Sequence, residues 1–192
     1  MQKQRLFEAA AEVFSRSGYA EASAEAISRQ AGMSKATFYE HFSNKEQCLQ
    51  ALFQHASATL LEALMHAARG AEGDYHDRHR AGLRVILEAI EAHPTMAQAI
   101  LVESVGAGPR VADTRDAALS AFAQFMYEET KEAARRNCGP AYASADEAFA
   151  IVGATFELVS RQLRTGHPAQ ALDLLPLIER LIMGLLSQPP SS

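Results

Sequence analysis

The residues whose types and spacing suggest chemistry lie near the N-terminus. Ser34 precedes Lys35, Ala36 and Thr37 at the predicted start of a short helix. The N-terminal end of such a helix can enter the major groove of DNA, where an ammonium group donates to guanine O6 or N7 and a small side chain contacts a thymine methyl group. We therefore expect Lys35, Ala36 and Thr37 to lie at base edges.

Two further residues are suited to the phosphate backbone. Lys45 lies in the first turn of the next long predicted helix, where a cation is unfavourable for the helix dipole. A phosphate held between its ammonium group and that helix N-terminus would explain the placement. Ser23 could likewise offer its hydroxyl to phosphate from the start of another short helix. Ser34 and Ser43 are N-caps in the first place, and any contact of Ser34 with DNA is additional.

No other group of residues indicates enzymatic chemistry. The sequence has no Gly-rich phosphate loop, nucleophile elbow or paired-carboxylate arrangement. The segment 76–79, His-Asp-Arg-His, lacks a fixed ligand spacing, so a solvated helix start is favoured over a metal site. Cys48 and Cys138 are far apart and are predicted to be free thiols. We expect no catalytic residues, no metal and no cofactor.

Composition limits the class of protein. The chain has 192 residues, 48% hydrophobic and 21% charged, without the ~20-residue apolar stretch of a membrane helix. Its N-terminus lacks the apolar core of a signal peptide, so we expect a cytoplasmic protein that does not enter a membrane. The net charge of −5 lies entirely beyond residue 47. This charge argues against a surface covered in nucleic acid, but it leaves room for a local DNA-reading surface.

The elements that must position these side chains are helices. Alanine accounts for 37 of the 192 residues and β-branched residues are sparse, which predicts an all-α fold. A first helix over roughly 3–17 ends at Gly18, and a capping box at 43–46 opens a long helix that ends near Gly70. Apolar periodicity and Gly or Pro breaks predict the remaining helices around 83–90, from Pro94, and over 113–136, 145–165 and 173–187.

Two short helices, Ser23 to Ala31 and Ser34 to Phe42, are joined by a tight turn and form a helix-turn-helix. The stretch SGYAEASAEAISRQAGMSKATFYEHFSNKEQCLQALF closely resembles the N-terminal signature of the TetR (tetracycline-repressor-like) family of bacterial transcriptional regulators. The resemblance covers roughly residues 5–53, and the rest of the chain matches only in the number and length of its helices. It implies that Thr37, Tyr39 and His41 touch DNA backbone or bases. Packed or solvated roles for Tyr39 and His41 remain open.

The same resemblance implies the organisation of the whole chain. Residues 1–47 would bind DNA, residues 48–188 would form a helical ligand-binding and dimerisation domain, and residues 189–192 would be a disordered tail. The protein would be a homodimeric regulator, a repressor more often than an activator. A palindromic double-stranded DNA operator and a small apolar or amphipathic effector would be its partners. The alternative is a helical small-molecule-binding protein or enzyme with a vestigial helix-turn-helix.

The last predicted helix supports dimerisation because it is apolar on too many sides for one partner face. Small residues in the preceding helix, Ala148, Gly153 and Ala154, would let two helices of each subunit form a two-fold bundle. Ile178 and Leu185 are predicted to lie in the seam. One unusually buried helix inside a monomer is the alternative. The apolar positions are Leu174, Leu175, Leu177, Ile178, Leu181, Ile182, Leu185 and Leu186.

The effector site is expected in the apolar interior of the larger domain, an expectation that rests on the resemblance. Apolar residues with helical spacing could line it, and three polar residues could orient a ligand, although such residues are equally typical of an ordinary core. We expect the fourth helix to couple the effector to DNA, because it begins at Lys45. The candidates are Met96, Ile100, Phe122, Phe125, Met126 and Tyr127, with Glu103, Gln124 and Arg161 as the polar groups.

Overall fold

A computed structural model of the chain describes residues 1–70 and 75–186, which are all-α and contain no strand. The all-α prediction is confirmed. The helices are α1 (Gln2–Glu21), α2 (Ala24–Gln30), α3 (Lys35–His41), α4 (Lys45–Gly70), α5 (Tyr75–Ala92), α6 (Pro94–Gln98), α7 (Pro109–Arg135), α8 (Ala145–Thr165) and α9 (Leu175–Leu186). A π-helical turn, Ala99–Glu103, follows α6, and a 3₁₀ turn, Ala171–Leu174, precedes α9.

The caps predicted around the helix-turn-helix are confirmed. Ser23 Oγ accepts from the Ala26 N–H at 3.1 Å, and Ser34 Oγ accepts from the Thr37 N–H at 3.1 Å. These bonds satisfy amides that the first turns of α2 and α3 leave without a helical partner. Gly18, with φ of +78°, interrupts α1 where its regular helix was predicted to end. Gly32, with φ of +64°, makes the turn between α2 and α3.

The capping box predicted for α4 is wrong by one residue. Asn44, and not Ser43, is the N-cap, because its Oδ1 accepts from the Gln47 N–H at 2.8 Å. The side chain of Gln47 in turn bonds the loop before the helix, because its Oε1 accepts from the Ser43 N–H at 2.5 Å. With Lys45 as the first helical residue, the third position belongs to Gln47 rather than Glu46.

The chain forms two compact units that differ from the predicted domains. The first unit combines Met1–Ala58 with Ala92–Asp116, and the second combines Thr59–Glu91 with the residues from Ala117 onward. The predicted division after residue 47, with a ligand-binding and dimerisation domain over 48–188, is one of function and stays a prediction, while the compact units divide the chain at other places. Residues 92–116 belong with the helix-turn-helix instead. The predicted tail at 189–192 lies outside the described residues.

The core of the first unit explains this arrangement. α2 and α3 have only seven residues each and cannot cover the apolar face of α1 by themselves, so residues from α4 and from 92–116 complete the core. Ala99 and Val111 are fully buried members of it, and Met96 packs against it. Its other large side chains are Leu6, Phe7, Val13, Phe14, Ile27, Phe38, Phe42, Leu49 and Leu52.

The second unit contains α8 and α9. α8 begins after the N-cap Ser144 and ends at Gly166, whose φ is +68°, so its predicted bounds are confirmed. The α-helical part of α9 starts at Leu175, two residues later than predicted, because a 3₁₀ turn capped by Gln170 and Asp173 precedes it. Buried side chains here include Leu83, Leu87, Val159, Ile178 and Ile182.

In the described part of the chain, no single helix is both long and apolar enough to cross a membrane. α5 and the following segment to Glu103 meet that length and composition only as a bent pair.

Candidate nucleic-acid interface

The first turn of α3 presents the side chains that were predicted to read bases. Lys35 and Ala36 are exposed, and Thr37 is half-buried beside its cap. The hydroxyl groups of Thr37 and Ser34 lie 3.0 Å apart, so both rotamers are fixed by the cap. Tyr39, one turn further on, keeps 49% of its surface exposed. α3 thus presents an ammonium group, a methyl group and a phenol to solvent, which suits the groove and backbone of DNA.

Buried aromatic packing holds α3 in place. Phe38 is completely buried, and its ring packs at 5.5 Å from Phe42 and edge-on to Tyr39. In the turn before α3, the Met33 N–H donates to the Ser28 carbonyl at 2.9 Å. Because the opposite face of α3 is fixed by these contacts, its exposed side chains are held on a rigid support.

Arg5 ties α1 to the turn of the helix-turn-helix. Its Nη2 donates to the Ala31 carbonyl at 2.8 Å, at the C-terminal end of α2. A cation is favourable there because it satisfies an orphan carbonyl and opposes the negative end of the helix dipole. Sequence reasoning missed this contact, since 26 residues separate the partners and no local spacing signals it.

Lys45 lies in the first turn of α4 as predicted, but it has hydrogen-bond partners that the sequence did not indicate. Its Nζ donates to the carbonyls of Tyr19 at 2.8 Å, Ala20 at 2.8 Å and Ala22 at 2.9 Å. The ammonium also lies 4.7 Å from the centroid of the Tyr19 ring. These three bonds use all three of its protons, so a phosphate would have to compete with the carbonyls for them. Burial, with a smaller contribution from Glu46, raises the pKa of Tyr19.

The other two predicted contacts differ in accessibility. Ser23 is exposed, and although its oxygen accepts the capping bond, its hydroxyl proton is free to be donated to a phosphate. His41 is half-buried, and its Nε2 is buried without a hydrogen-bond partner among the described residues. A DNA contact of His41 would therefore use the exposed part of the ring.

The predicted effector residues are not brought together in one unit. Met96, Ile100 and Glu103 belong to the first unit, and Ile100 is 8% exposed. The Glu103 carboxylate already accepts from the Tyr19 N–H and from Gln98. The α7 residues, Phe122, Phe125, Met126 and Tyr127, are half-buried members of the second unit, whereas Gln124 and Arg161 there are exposed.

The remaining titratable groups of interest concern stability rather than a metal. No three His, Cys, Asp or Glu side chains are grouped to hold a metal ion among residues 1–70 and 75–186. Burial, assisted by Arg78 and His76, lowers the pKa of His79 to about 4. Both cysteines are free, as predicted, and burial raises the pKa of the Cys48 thiol to about 12.

Comparison with known proteins agrees with the helix-turn-helix. Residues 6–52 match the family described as bacterial regulatory proteins, tetR family. The chain is 32% identical over 68 residues to an uncharacterized HTH-type transcriptional regulator, YxbF, of Bacillus subtilis. That match covers 35% of this chain but only 18% of the length of YxbF.

The fold resembles solved structures over almost the whole chain. The fatty acid degradation regulator FadR from Bacillus halodurans has a TM-score of 0.82 at 19% identity, with 94% of this chain and 97% of that one covered. FadR from Bacillus subtilis, solved in complex with stearoyl-CoA, also has a TM-score of 0.82, at 17% identity, with 96% and 97% covered. A TetR-like regulator from Rhodococcus sp. RHA1 has a TM-score of 0.71 at 21% identity, with 97% of each chain covered.

Proposed function

We propose that the chain, whose residues 6–52 match the tetR family of bacterial regulatory proteins, is a ligand-responsive repressor of that family. As a homodimer it binds a palindromic DNA operator, and a small apolar or amphipathic molecule releases it. This role requires no enzymatic activity, and we expect the protein to act in the cytoplasm.

One observation carries the DNA-binding part of the proposal. α3 is a capped helix whose buried face is fixed by Phe38 and whose first turn exposes Lys35 and Ala36. A recognition helix needs this combination, because base discrimination requires side chains held at fixed positions rather than on a mobile loop. Ser23, Ser34, Thr37, Tyr39 and His41 are the other residues that we propose to contact DNA. Lys45, predicted to hold a phosphate, is proposed instead to support the backbone that precedes α2, because its ammonium donates to three carbonyls there.

Exposed apolar residues on α8 and α9 support the homodimer. Phe149, Leu177 and Leu181 are 40%, 36% and 39% exposed within the protomer. A Cβ added to Gly153 of α8 or Gly184 of α9 would meet nothing within 4 Å. A glycine inside a helix costs about 1 kcal/mol relative to alanine, so two glycines facing open space suit close approach of a second copy.

The identity of the seam differs from the sequence-based proposal. Ile178 is completely buried within its own protomer, so it belongs to the core. Ala148 is likewise fully buried. We therefore propose that the seam is formed by Phe149 and Gly153 of α8 together with Leu181 and Gly184 of α9.

We propose that the effector binds in the second unit, near the half-buried α7 residues Phe122, Phe125 and Met126. The structural resemblance to a FadR solved with stearoyl-CoA suggests a long-chain acyl-CoA as the first compound to test. Such a molecule combines an apolar chain with a polar headgroup, and it fits the proposed amphipathic class.

In vitro selection of duplexes from a random-sequence library with the full-length chain tests the proposal. The expected result is a palindromic consensus with half-sites about one helical turn, or a multiple of it, apart, because each α3 enters its own major groove. A control selection with Lys35→Ala should relax the preference at one base pair of each half-site. Recovery of duplexes without any consensus would instead favour a helical small-molecule-binding protein with a vestigial helix-turn-helix.

A further inference from the structure

The carboxylate of Glu103 is held against the end of α1. Glu103 Oε2 accepts from the backbone N–H of Tyr19 at 3.2 Å, and Oε1 accepts from Gln98 Nε2 at 3.2 Å. A Cβ on Gly18 would lie 3.5 Å from the same Oε2, so the carboxylate closely approaches the break in α1. Both oxygens are therefore used within the first unit.

An unusual backbone conformation brings Glu103 to this place. Ala99–Glu103 is a π-helical turn, and Ala99 and Ile100 at its start are buried. The turn is locked by the hydroxyl of Ser104, which donates to the Ile100 carbonyl at 2.5 Å. π-turns are rare, and they recur at functional sites because they re-aim a side chain that a regular helix would direct elsewhere.

The backbone that Glu103 holds is also held by α4. Lys45 donates to the carbonyls of Tyr19, Ala20 and Ala22, while Glu103 accepts the amide proton of Tyr19. Residues 19–22 lead directly to Ser23, the N-cap of α2. One short segment is thus fixed by a cation from α4 and by an anion from the π-turn immediately before the helix-turn-helix begins.

We propose that Glu103 is a positioning residue for DNA recognition. By fixing the backbone at Tyr19, it sets the position from which α2 starts. Because the turn between α2 and α3 is held by hydrogen bonds, the position of α2 determines that of α3. This inference rests on the proposed DNA-binding function. It extends the DNA-binding machinery to a residue far outside the segment, 6–52, that matches the family.

Three variants of the full-length chain test the inference, with the selected duplex as the probe. Glu103→Ala removes both acceptors, and Glu103→Gln can still accept from Tyr19 and exchange a bond with Gln98. Asp113→Ala is the matched control, because Asp113 is an exposed carboxylate of the same unit on α7. Equilibrium binding is measured well below the melting temperature of each variant, so that only folded protein is compared.

We expect Glu103→Ala to weaken duplex binding by about tenfold or more, because it removes the hydrogen bond that fixes the backbone at Tyr19. Glu103→Gln and Asp113→Ala should stay within about threefold of the wild type on the same scale. Unchanged affinity of folded Glu103→Ala, with only a lower melting temperature, would overturn the inference and leave Glu103 a purely structural role. An equal loss in Glu103→Gln or Asp113→Ala would overturn it as well, because the first variant keeps an acceptor for the Tyr19 N–H and the second removes a carboxylate that does not bond Tyr19.

Two further measurements keep the outcome decisive. If Glu103→Ala fails to fold, Glu103→Asp takes its place, because the shorter side chain keeps the charge but withdraws the acceptor from Tyr19. Hydrogen exchange of the Tyr19 amide should be faster in the weakened variant than in the wild type, and unchanged protection would refute the inference. Failure of the wild-type chain to select any duplex is a separate result, which refutes the proposed function and the inference with it.

Discussion

Lys45 has backbone partners that its place in the sequence did not indicate, and its predicted phosphate contact stays a prediction that salt dependence can test. Its ammonium donates to the carbonyls of Tyr19, Ala20 and Ala22. These carbonyls lie at the C-terminal end of α1, just before the helix-turn-helix. Lys45→Met should therefore lower the free energy of unfolding by about 1.5–3 kcal/mol, the usual value for hydrogen bonds to a charged group. Denaturant unfolding measures this loss.

Salt dependence of DNA binding separates the two roles of Lys45. Since all three protons are used, the slope of log affinity against log salt should stay at its wild-type value in Lys45→Met. A phosphate contact would instead lower the slope by about 0.9 per contact, and by about twice that in a dimer. Lys35→Met is the matched control. Because Lys35 is exposed, its substitution should lower the free energy of unfolding by less than about 0.5 kcal/mol. The same substitution should lower base discrimination by about 1–3 kcal/mol.

His79 makes the stability of the second unit depend on pH. Its pKa in the folded chain is about 4, below the ordinary 6.5, because burial and the neighbours Arg78 and His76 disfavour the imidazolium. The unfolded chain therefore binds the proton first, and stability that is fully present above pH 6.5 is lost as the pH falls toward 4.

The loss should approach about 1.4 kcal/mol per pH unit inside this window. Urea unfolding at intervals between these two pH values measures it, and His79→Leu should flatten the dependence. The same slope in His79→Leu as in the wild type would assign the pH dependence to other groups.

At the scale of elements, local signals predicted most of the helix boundaries. Ser23, Ser34 and Gly166 act through atoms a few residues away, so their caps can be read from the sequence. The error at Ser43 is of the same local kind, because Ser43 and Asn44 are both good N-caps and the sequence does not choose between them.

Interactions between distant residues could not be predicted in this way. The bond from Arg5 to Ala31 and the bond from Tyr19 to Glu103 span 26 and 84 residues. No periodicity or cap signal in the sequence indicates that residues 92–116 complete the first unit. The predicted effector set therefore mixed residues of two units.

The outer faces of α8 and α9 make a prediction about assembly. Leu181→Glu should give a folded monomer, because Leu181 is 39% exposed in the protomer and a charge there is unfavourable only when a second copy covers it. Ile178→Glu should instead unfold the second unit, since Ile178 is completely buried. Equilibrium sedimentation and circular dichroism distinguish the two results.

Met65→Glu is the matched control, because Met65 is 41% exposed on α4, outside the proposed seam, and this variant should remain dimeric. Gly184→Ala tests the seam in a second way, because its effect depends on whether a second copy covers this residue. In an uncovered helix the substitution should stabilise by up to about 1 kcal/mol, whereas in a close-packed seam it should weaken dimerisation. A dimeric Leu181→Glu together with a stabilised Gly184→Ala would place the seam elsewhere.

At the scale of the whole molecule, the course of the chain gives the proposed effector a route to DNA. The chain passes between the two compact units three times, and the passages at 58–59 and 116–117 lie inside the continuous helices α4 and α7. A helix moves as a rigid element, so a displacement at one end is carried to the other. α4 begins at Lys45, which bonds the backbone that precedes α2, and α7 follows the segment whose Glu103 bonds the same backbone.

This route predicts reciprocal coupling between effector and operator. If stearoyl-CoA binds the second unit and releases DNA, it should lower the affinity for the selected duplex by about 5- to 150-fold, which is about 1–3 kcal/mol. Linkage requires that the duplex lower the affinity for stearoyl-CoA by the same factor, because both measurements close one thermodynamic cycle. Fluorescence anisotropy of labelled duplex and calorimetric titration of stearoyl-CoA, each with and without the other ligand, measure the two factors.

Coenzyme A without an acyl chain is the matched control and should leave duplex affinity unchanged, since the apolar α7 residues would have nothing to bind. Tight binding of stearoyl-CoA with no change in duplex affinity would contradict release by this effector, while the assignment of α3 to DNA would stand on the selection experiment alone.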